Sequence, residues 1–354
     1  MRSLRVCIYG GTDLDGMEPD FVTALAEAIL MTLPSVIVTG GFLQGKKRPS
    51  AVSTDLSALE GARHVAKRRS IDLRTLFEAW VPEGRLDGRA DIGGVVRMNE
   101  DLGITVRVAS GRTALGRRLS MVAGVDVLVT VSGKTHTEVV LEQAIELGVP
   151  ALPIAQTGGD SQKVYESYKD RIHSAFAPGS VERCFELLAR QGLRDPNAVQ
   201  SVVDVIGSAR VGRCLVLQPY TDADDDLYAS VIRPAVEDHM QSVRLKDATG
   251  SQQIYASFFE AVAYSTTIIA DITYLNENVM YEVGYAHGRG LQPLLFTLDP
   301  SRINSLPVYF QTLNVHAVTR AELPTVVGEH LRDTKHRHEA PMPAAPQGAS
   351  GVRQ

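Results

Sequence analysis

Two acidic residues in the last third of the chain carry the strongest chemical signal. Asp271 closes an apolar, β-branched run, Thr267-Ile268-Ile269-Ala270-Asp271, and Ile272-Thr273 follows it. Glu282 comes eleven positions later, within Met280-Tyr281-Glu282-Val283-Gly284-Tyr285-Ala286-His287. The first reads as the end of a strand and the second as the first turn or so of the next helix, so a single cleft could hold both. Open parallel sheets bind ligands at the carboxyl ends of their strands. A carboxylate there can attack or stabilise an anomeric carbon as a base leaves, the chemistry that glycosyl transfer directs at an oxocarbenium-like centre. Asp271 could hold sugar hydroxyls or position the leaving base. Gln218-Pro219-Tyr220 follows another apolar run, and Thr273, Asn278 and Tyr281 flank the two acids, so these residues are candidates for substrate contact. Structural roles compete with this reading. Asp271 could cap a turn, and Glu282 could favour the helix dipole. A capping box would place Ser, Thr, Asp or Asn three residues before Glu282, and Val279 stands there instead. His287 is off the helical face of Glu282 and reads as structural.

A second group of residues lies in the first half. Tyr9-Gly10-Gly11-Thr12 and Thr39-Gly40-Gly41 each follow a strand-like run, and Ser132-Gly133-Lys134-Thr135-His136-Thr137-Glu138 separates a third run from a helix. Glycines after parallel strands let backbone N–H groups approach a phosphate, although tight turns need glycine as well. Together the three loops make a phosphate-binding cleft plausible. Thr135 to Glu138 also fits a capping box, which gives Glu138 a structural role of its own.

The elements that must position these residues alternate. Strand candidates are residues 4–9, 36–39, 104–108, 125–131 and 151–154, with helical patterns at 20–31, 56–69, 113–123 and 138–147 between them. Residues 161–194 read as helical and Asp195-Pro196-Asn197 as a turn, followed by a short helical run to Ser208. A new series then starts near Arg213. Strands are expected at 214–217, 243–245, 267–271 and 294–297, and helices at 226–240, 254–264 and 279–289. This predicts two doubly wound, Rossmann-like α/β domains with parallel sheets, the C-terminal one smaller and flavodoxin-like. The expected division is 1–195, a linker at 196–210, and 211–330, with a disordered Pro- and Gly-containing tail from 335.

Composition narrows the function classes. The net charge is -5, which gives no reason to expect a nucleic-acid polymer or an anionic membrane, and short basic clusters such as Lys46-Lys47-Arg48 read as solvated. The three cysteines form no paired motif, so neither a metal site nor a disulfide framework is expected. No signal-peptide layout or membrane span is visible, and a cytoplasmic protein is the expectation.

Two resemblances sharpen the picture. The run from Cys214 to Tyr220, then Ile268-Ile269-Ala270-Asp271-Ile272-Thr273, then Asn276 to His287, resembles the nucleoside 2-deoxyribosyltransferase-like family, which is related to the TIR-like domains of bacterial defence systems. That resemblance implies a catalytic carboxylate at Glu282 and substrate contact at Asp271. The acidic loop at Asp222 and Asp224-Asp225-Asp226 departs from a phosphate site, and is read as facing solvent or binding ribose hydroxyls. Residues 4–160 resemble the SLOG superfamily, whose members include LOG phosphoribohydrolases and nucleotide sensors. Arg117, Arg118 and Met121 fall on its "RKxxM" pattern, but "PGGxGTxxE" is met only in part by Ser132, Gly133, Thr135 and Glu138. The resemblances imply a sensor with an eroded active site, binding a signalling nucleotide through Gly10, Gly11, Thr12, Gly40, Gly41, Arg117, Ser132, Gly133, Lys134, Thr135 and Glu138. It would control a domain that cleaves the N-glycosidic bond of NAD or a (deoxy)nucleotide, as hydrolase or transferase, in antiphage defence. No further cofactor is implied, and a homo-oligomer is. Two alternatives stand beside this: a non-catalytic nucleotide-binding sensor, and a LOG-like nucleoside-monophosphate phosphoribohydrolase using Arg117 and Glu138.

Overall fold

The computed structural model describes residues 3–45, 50–82, 95–109, 113–134, 136–245, 258–259, 261–263, 265–291, 293–311, 313 and 315–337. The chain divides between Arg213 and Cys214 into two compact α/β units.

The first unit contains β1 (Leu4–Gly10), α1 (Glu18–Thr32), β2 (Ser35–Thr39), β3 (Phe42–Gly45), α2 (Thr54–Arg69), β4 (Phe77–Pro82), β5 (Val95–Arg97), β6 (Thr105–Ala109), α3 (Ala114–Ala123), β7 (Val127–Val131), α4 (His136–Leu147), β8 (Ala151–Ile154), α5 (Gly159–Ser174), α6 (Ser180–Gln191) and α7 (Pro196–Gly207). Six strands form a parallel sheet in the order β6-β4-β2-β1-β7-β8, while β3 and β5 pair antiparallel apart from it. All five residues of β7 are buried, as a strand covered on both faces requires. Sequence order reverses between β1 and β7, and the loops holding Gly10-Gly11 and Ser132-Gly133 lie at that point.

Residues 196–210 were expected as a linker, and the structure differs. Asp195 caps α7 by accepting from the N–H groups of Asn197 and Ala198, and Pro196 fits the first helical turn, where its missing N–H is no loss. Ala198, Val199, Val202, Val203, Val205 and Ile206 are buried in the core of the first unit. The apolar spacing of a packed helix therefore outweighs the turn signal that precedes it. β4 escapes the sequence pattern because Glu78 interrupts its apolar run. Glu78 is 4 % exposed and takes two hydrogen bonds from Arg5, one from Trp80, and an ion pair from Arg107.

The second unit contains β9 (Arg213–Leu217), α8 (Asp222–Leu227), a π-helical turn (Tyr228–Ile232), α9 (Arg233–Glu237), β10 (Gln241–Arg244), β11 (Thr267–Asp271), α10 (Glu277–Gly288), β12 (Pro293–Thr297), α11 (Val308–Gln311), β13 (Val315–Ala317) and α12 (Leu323–Arg337). Its strand order is β10-β9-β11-β12-β13, the 2-1-3-4-5 order of flavodoxin-like sheets, with β9, β11, β12 and β13 paired in parallel. Side chains alternate across the sheet. Cys214, Val216, Ile269, Leu294 and Phe296 pack with Leu227, Val236, Leu323 and Leu331 on one face. Leu215, Leu217, Ile268, Ala270 and Leu295 pack with Phe258, Val262, Val279, Val283 and Ala286 on the other. Helix α12 reaches Arg337, past the start of the expected tail. Residues 338–354, and most of the helix expected at 254–264, lie outside the described residues. No described helix is long and apolar enough to cross a membrane.

Candidate functional site

In a 2-1-3-4-5 sheet the crevice opens between the first and third strands, here β9 and β11. Gln218 and Tyr220 leave β9 there, and Asp271 ends β11. Asp271 is 2 % exposed, and its Oδ1 accepts from the N–H of Thr273 at 2.9 Å. Burial pushes its carboxyl above the ordinary value, hydrogen bonds from Thr273 oppose the shift, and the nearby Asp224 carboxylate adds to it. Thr273 is itself held, since its Oγ1 accepts from the N–H of Leu298 at 3.0 Å.

Glu282 stands in a different setting. Asn276 caps α10 by accepting from the N–H groups of Asn278 and Val279, so the helix starts at Glu277 and Glu282 is its sixth residue. That lies beyond the first turn, where a carboxylate gains from the helix dipole. Among the described residues Glu282 has no hydrogen-bond or ion-pair partner, and burial alone raises its carboxyl to about 7. Neither Asp271 nor Glu282 perturbs the other's ionisation, so they are not a coupled carboxylate pair. Tyr281 and Asn278 are exposed, and Pro219 is half-buried.

The acidic loop does not simply face solvent. Asp224 is buried and forms a capping box with Thr221 at the start of α8. Asp225 pairs with Arg244 at 2.8 Å, and Asp226 pairs with Arg320. The Arg244 guanidinium lies 5.4 Å from the ring centroid of Tyr220 and 4.8 Å from that of Tyr228. Arg244 was not singled out from the sequence. Its signal was a lone arginine closing a short strand beside the crevice.

In the first unit many of the expected phosphate donors are already engaged. The N–H of Gly11 donates to Val131 O at 3.1 Å, that of Gly41 to Thr39 Oγ1 at 3.3 Å, and that of Ser132 to Thr157 Oγ1 at 2.7 Å. A Cβ on Gly10 would come within 2.0 Å of Val131 O, and one on Gly133 (φ +103°) within 2.3 Å of Thr137, so packing explains both glycines. At the N-terminus of α4, Asp160 Oδ2 accepts from the N–H groups of Thr137 and Glu138, each at 3.1 Å. A carboxylate of the protein thus fills the place an external anion would take. Glu138 pairs with Lys163, Lys134 and Thr12 are exposed, and Thr135 lies outside the described residues.

Arg117 is buried, with Nη1 donating to Gly40 O at 3.0 Å and Trp80 O at 2.8 Å. Burial and the neighbouring Arg97 and Arg118 lower it to about 10, which leaves it cationic at neutral pH. It ties the end of β2 to β4. Arg118 Nε donates to Tyr9 Oη at 3.1 Å. Among the described residues no group of three or more His, Cys, Asp or Glu side chains is placed to hold a metal.

The cap by Asp160 gives a direct expectation. Asp160→Ala leaves two helix N–H groups unmatched and should cost about 1–2 kcal/mol, read as a lower denaturation midpoint at unchanged denaturant slope. An unchanged midpoint would remove Asp160 as the cap.

No protein-family model matches the chain, and no curated protein matches it. Solved structures show distant likenesses. One is the structural-genomics target TM1055, at 16 % identity and TM-score 0.32, covering 46 % of this chain and 81 % of that one. Another is the molybdenum cofactor binding protein of Rippkaea orientalis, at 15 % identity and TM-score 0.35, covering 54 % and 98 %. A third is the molybdenum cofactor carrier protein of Chlamydomonas reinhardtii, at 15 % identity and TM-score 0.29, covering 58 % and 99 %. Scores of this size carry no functional inference.

Proposed function

We propose that the second unit cleaves the N-glycosidic bond of NAD or a (deoxy)nucleotide, with Glu282 as the catalytic carboxylate. The observation that carries this is the state of Glu282, a half-buried acid on the helix that follows β11, the central strand of a flavodoxin-like sheet. Among the described residues it has no hydrogen-bond or ion-pair partner, and its carboxyl is raised to about 7. Isolated buried acids are costly in a folded protein and concentrate where chemistry needs them.

As the C1′–N bond breaks, its electron pair leaves with the base and positive charge grows at C1′. The Glu282 carboxylate attacks or stabilises that centre, and water or a second base completes the transfer. Attraction to the growing positive charge favours the ionised form that burial disfavours. Asp271 has a positioning role beside the sugar or the leaving base. Its hydrogen bonds from Thr273 fix its direction.

For the first unit we propose ligand sensing rather than catalysis. The resemblance to SLOG sensors supports this, and so does the diversion of the residues a LOG-like hydrolase would use. Arg117 is spent on main-chain carbonyls, Glu138 on Lys163, and the α4 amides on Asp160. A signalling nucleotide bound there would switch the second unit on, in a homo-oligomer serving antiphage defence.

The test is incubation with a panel of NAD, NADP and (deoxy)nucleotides, with and without extract of phage-infected cells, followed by chromatography for free base. Release that depends on the extract supports a regulated glycosidase. Binding at both units without turnover of any panel member would leave a sensor instead.

A further inference from the structure

Among the described residues, three buried polar atoms beside the crevice have no hydrogen-bond partner. They are Nε and Nη2 of Arg244 and Oε1 of Gln218. Both side chains lie at the carboxyl edge of the sheet, Arg244 closing β10 and Gln218 following β9. Nε–H and Nη2–H point from the same edge of the guanidinium and form one of its two-pronged donor faces. Nη1 is engaged with Asp225, so the free face has a fixed direction. Gln218 is fixed as well. Its amide donates to Asp224 O at 2.6 Å, which only the nitrogen can do, so Oε1 is left as an acceptor. Asp225 binds Arg244 and Asp224 binds Gln218, so one turn of chain holds both side chains.

Charge decides what fits. Asp225 already balances Arg244, and Asp224 and Asp271 are buried nearby, so an added oxyanion would meet three carboxylates. A neutral group with two adjacent acceptors and a neighbouring donor meets no such opposition. Among nucleobases that edge belongs to the 6-oxopurines. O6 and N7 accept from an arginine fork, and N1–H can donate to the glutamine oxygen. A 6-aminopurine would turn N–H donors against the guanidinium. The Tyr220 ring, 45 % exposed and lying on the guanidinium, stands at the rim with a face for stacking.

We infer that Arg244, Gln218 and Tyr220 form a base-reading subsite in the second unit, selective for the O6/N7 edge of a 6-oxopurine. The inference rests on the proposed nucleoside chemistry for taking the ligand to be a nucleobase. It does not require turnover.

The experiment is calorimetric binding of hypoxanthine, adenine and inorganic pyrophosphate to the full chain and to Arg244→Lys, which keeps the positive charge for Asp225 but loses the fork. Hypoxanthine should bind about tenfold or more tighter than adenine, and Arg244→Lys should erase that preference. An Arg Nε–H resonance absent from the Arg244→Lys spectrum should shift with hypoxanthine and not with pyrophosphate. Equal affinity for the two purines, or a resonance that answers to pyrophosphate alone, would overturn the inference. If Arg244→Lys does not fold, the wild-type preference between the purines still decides. Hypoxanthine selectivity in a protein that releases no base would keep this subsite and remove the glycosidase reading.

Discussion

Glu282→Gln is expected to lower base release by about 10³-fold or more, while binding of substrate and the melting profile in mild acid stay close to those of the wild type. The amide keeps the size and half-buried place of the acid but cannot carry the negative charge that meets the developing cation at C1′. A pH signature accompanies the loss. Wild-type turnover should rise as Glu282 ionises, with an apparent value near 7, and the residual activity of Glu282→Gln should lack that step. Stability moves the other way. The folded carboxyl is raised from 4.5 to about 7, so between those values the folded protein holds a proton that the unfolded chain has released. This contribution is fully present below pH 4.5 and is lost as pH rises through 7. Above pH 7 the glutamine variant should therefore be the more stable, by about 1–2 kcal/mol once the full shift is discounted for partial exposure. A site that gains stability when its acid is neutralised, and loses turnover, behaves as a functional rather than a structural carboxylate.

The second large effect is on folding of the first unit. Glu78→Gln should cost about 3 kcal/mol or more at neutral pH, because it leaves the half-buried Arg5 guanidinium without its carboxylate. Arg5 Nη2 lies 2.6 Å from Glu78 Oε1 and Nη1 3.1 Å from Oε2, while Arg107 Nε approaches Oε1 at 2.7 Å. These contacts join β1, β4 and β6 across the intervening β2. Burial opposes ionisation of Glu78, but the hydrogen bonds and charges of Arg5 and Arg107 outweigh it and hold the carboxyl below its ordinary value. The stability it contributes is therefore present above the unfolded value of 4.5 and is lost as pH falls through the folded one. Denaturant titration of the wild type and Glu78→Gln should show two midpoints that converge in acid. Midpoints that stay equally far apart from neutral pH into strong acid would show that the carboxylate charge is not what stabilises the unit.

What the sequence makes legible follows from which physical signals are local. β11 could be read from Thr267 to Asp271 because a strand buried on both faces is apolar throughout, and Asp271 stood out by ending it. Glu282 was visible because no capping residue explained it, and the cap of α10 is Asn276, further upstream of Glu282 than a capping box requires. β4 was hidden because the acid inside it is satisfied by arginines 73 and 29 positions away (78 − 5 and 107 − 78), a pairing that no local pattern displays. Asp160 was missed for a similar reason. It caps a helix that begins 24 residues before it (160 − 136), whereas a cap is sought just ahead of its helix. The linker at 196–210 was misplaced because a capping Asp followed by Pro reads equally as a turn or as a helix start, and only the burial of Val202, Val203 and Ile206 distinguishes them. Arg244 carried only the weak signal of a lone arginine closing a short strand. Its interest comes from Tyr220 and Asp225, brought beside it by the order of β9 and β10.

The central claim is that base departs from a nucleotide at the second unit through Glu282. Chromatography of NAD, NADP and (deoxy)nucleotide reactions tests it most directly, run with the wild type and Glu282→Gln side by side under the same activating extract. The account predicts free base from at least one substrate with the wild type and about 10³-fold less with Glu282→Gln. Base released equally by both proteins, or by neither from any substrate, would contradict it.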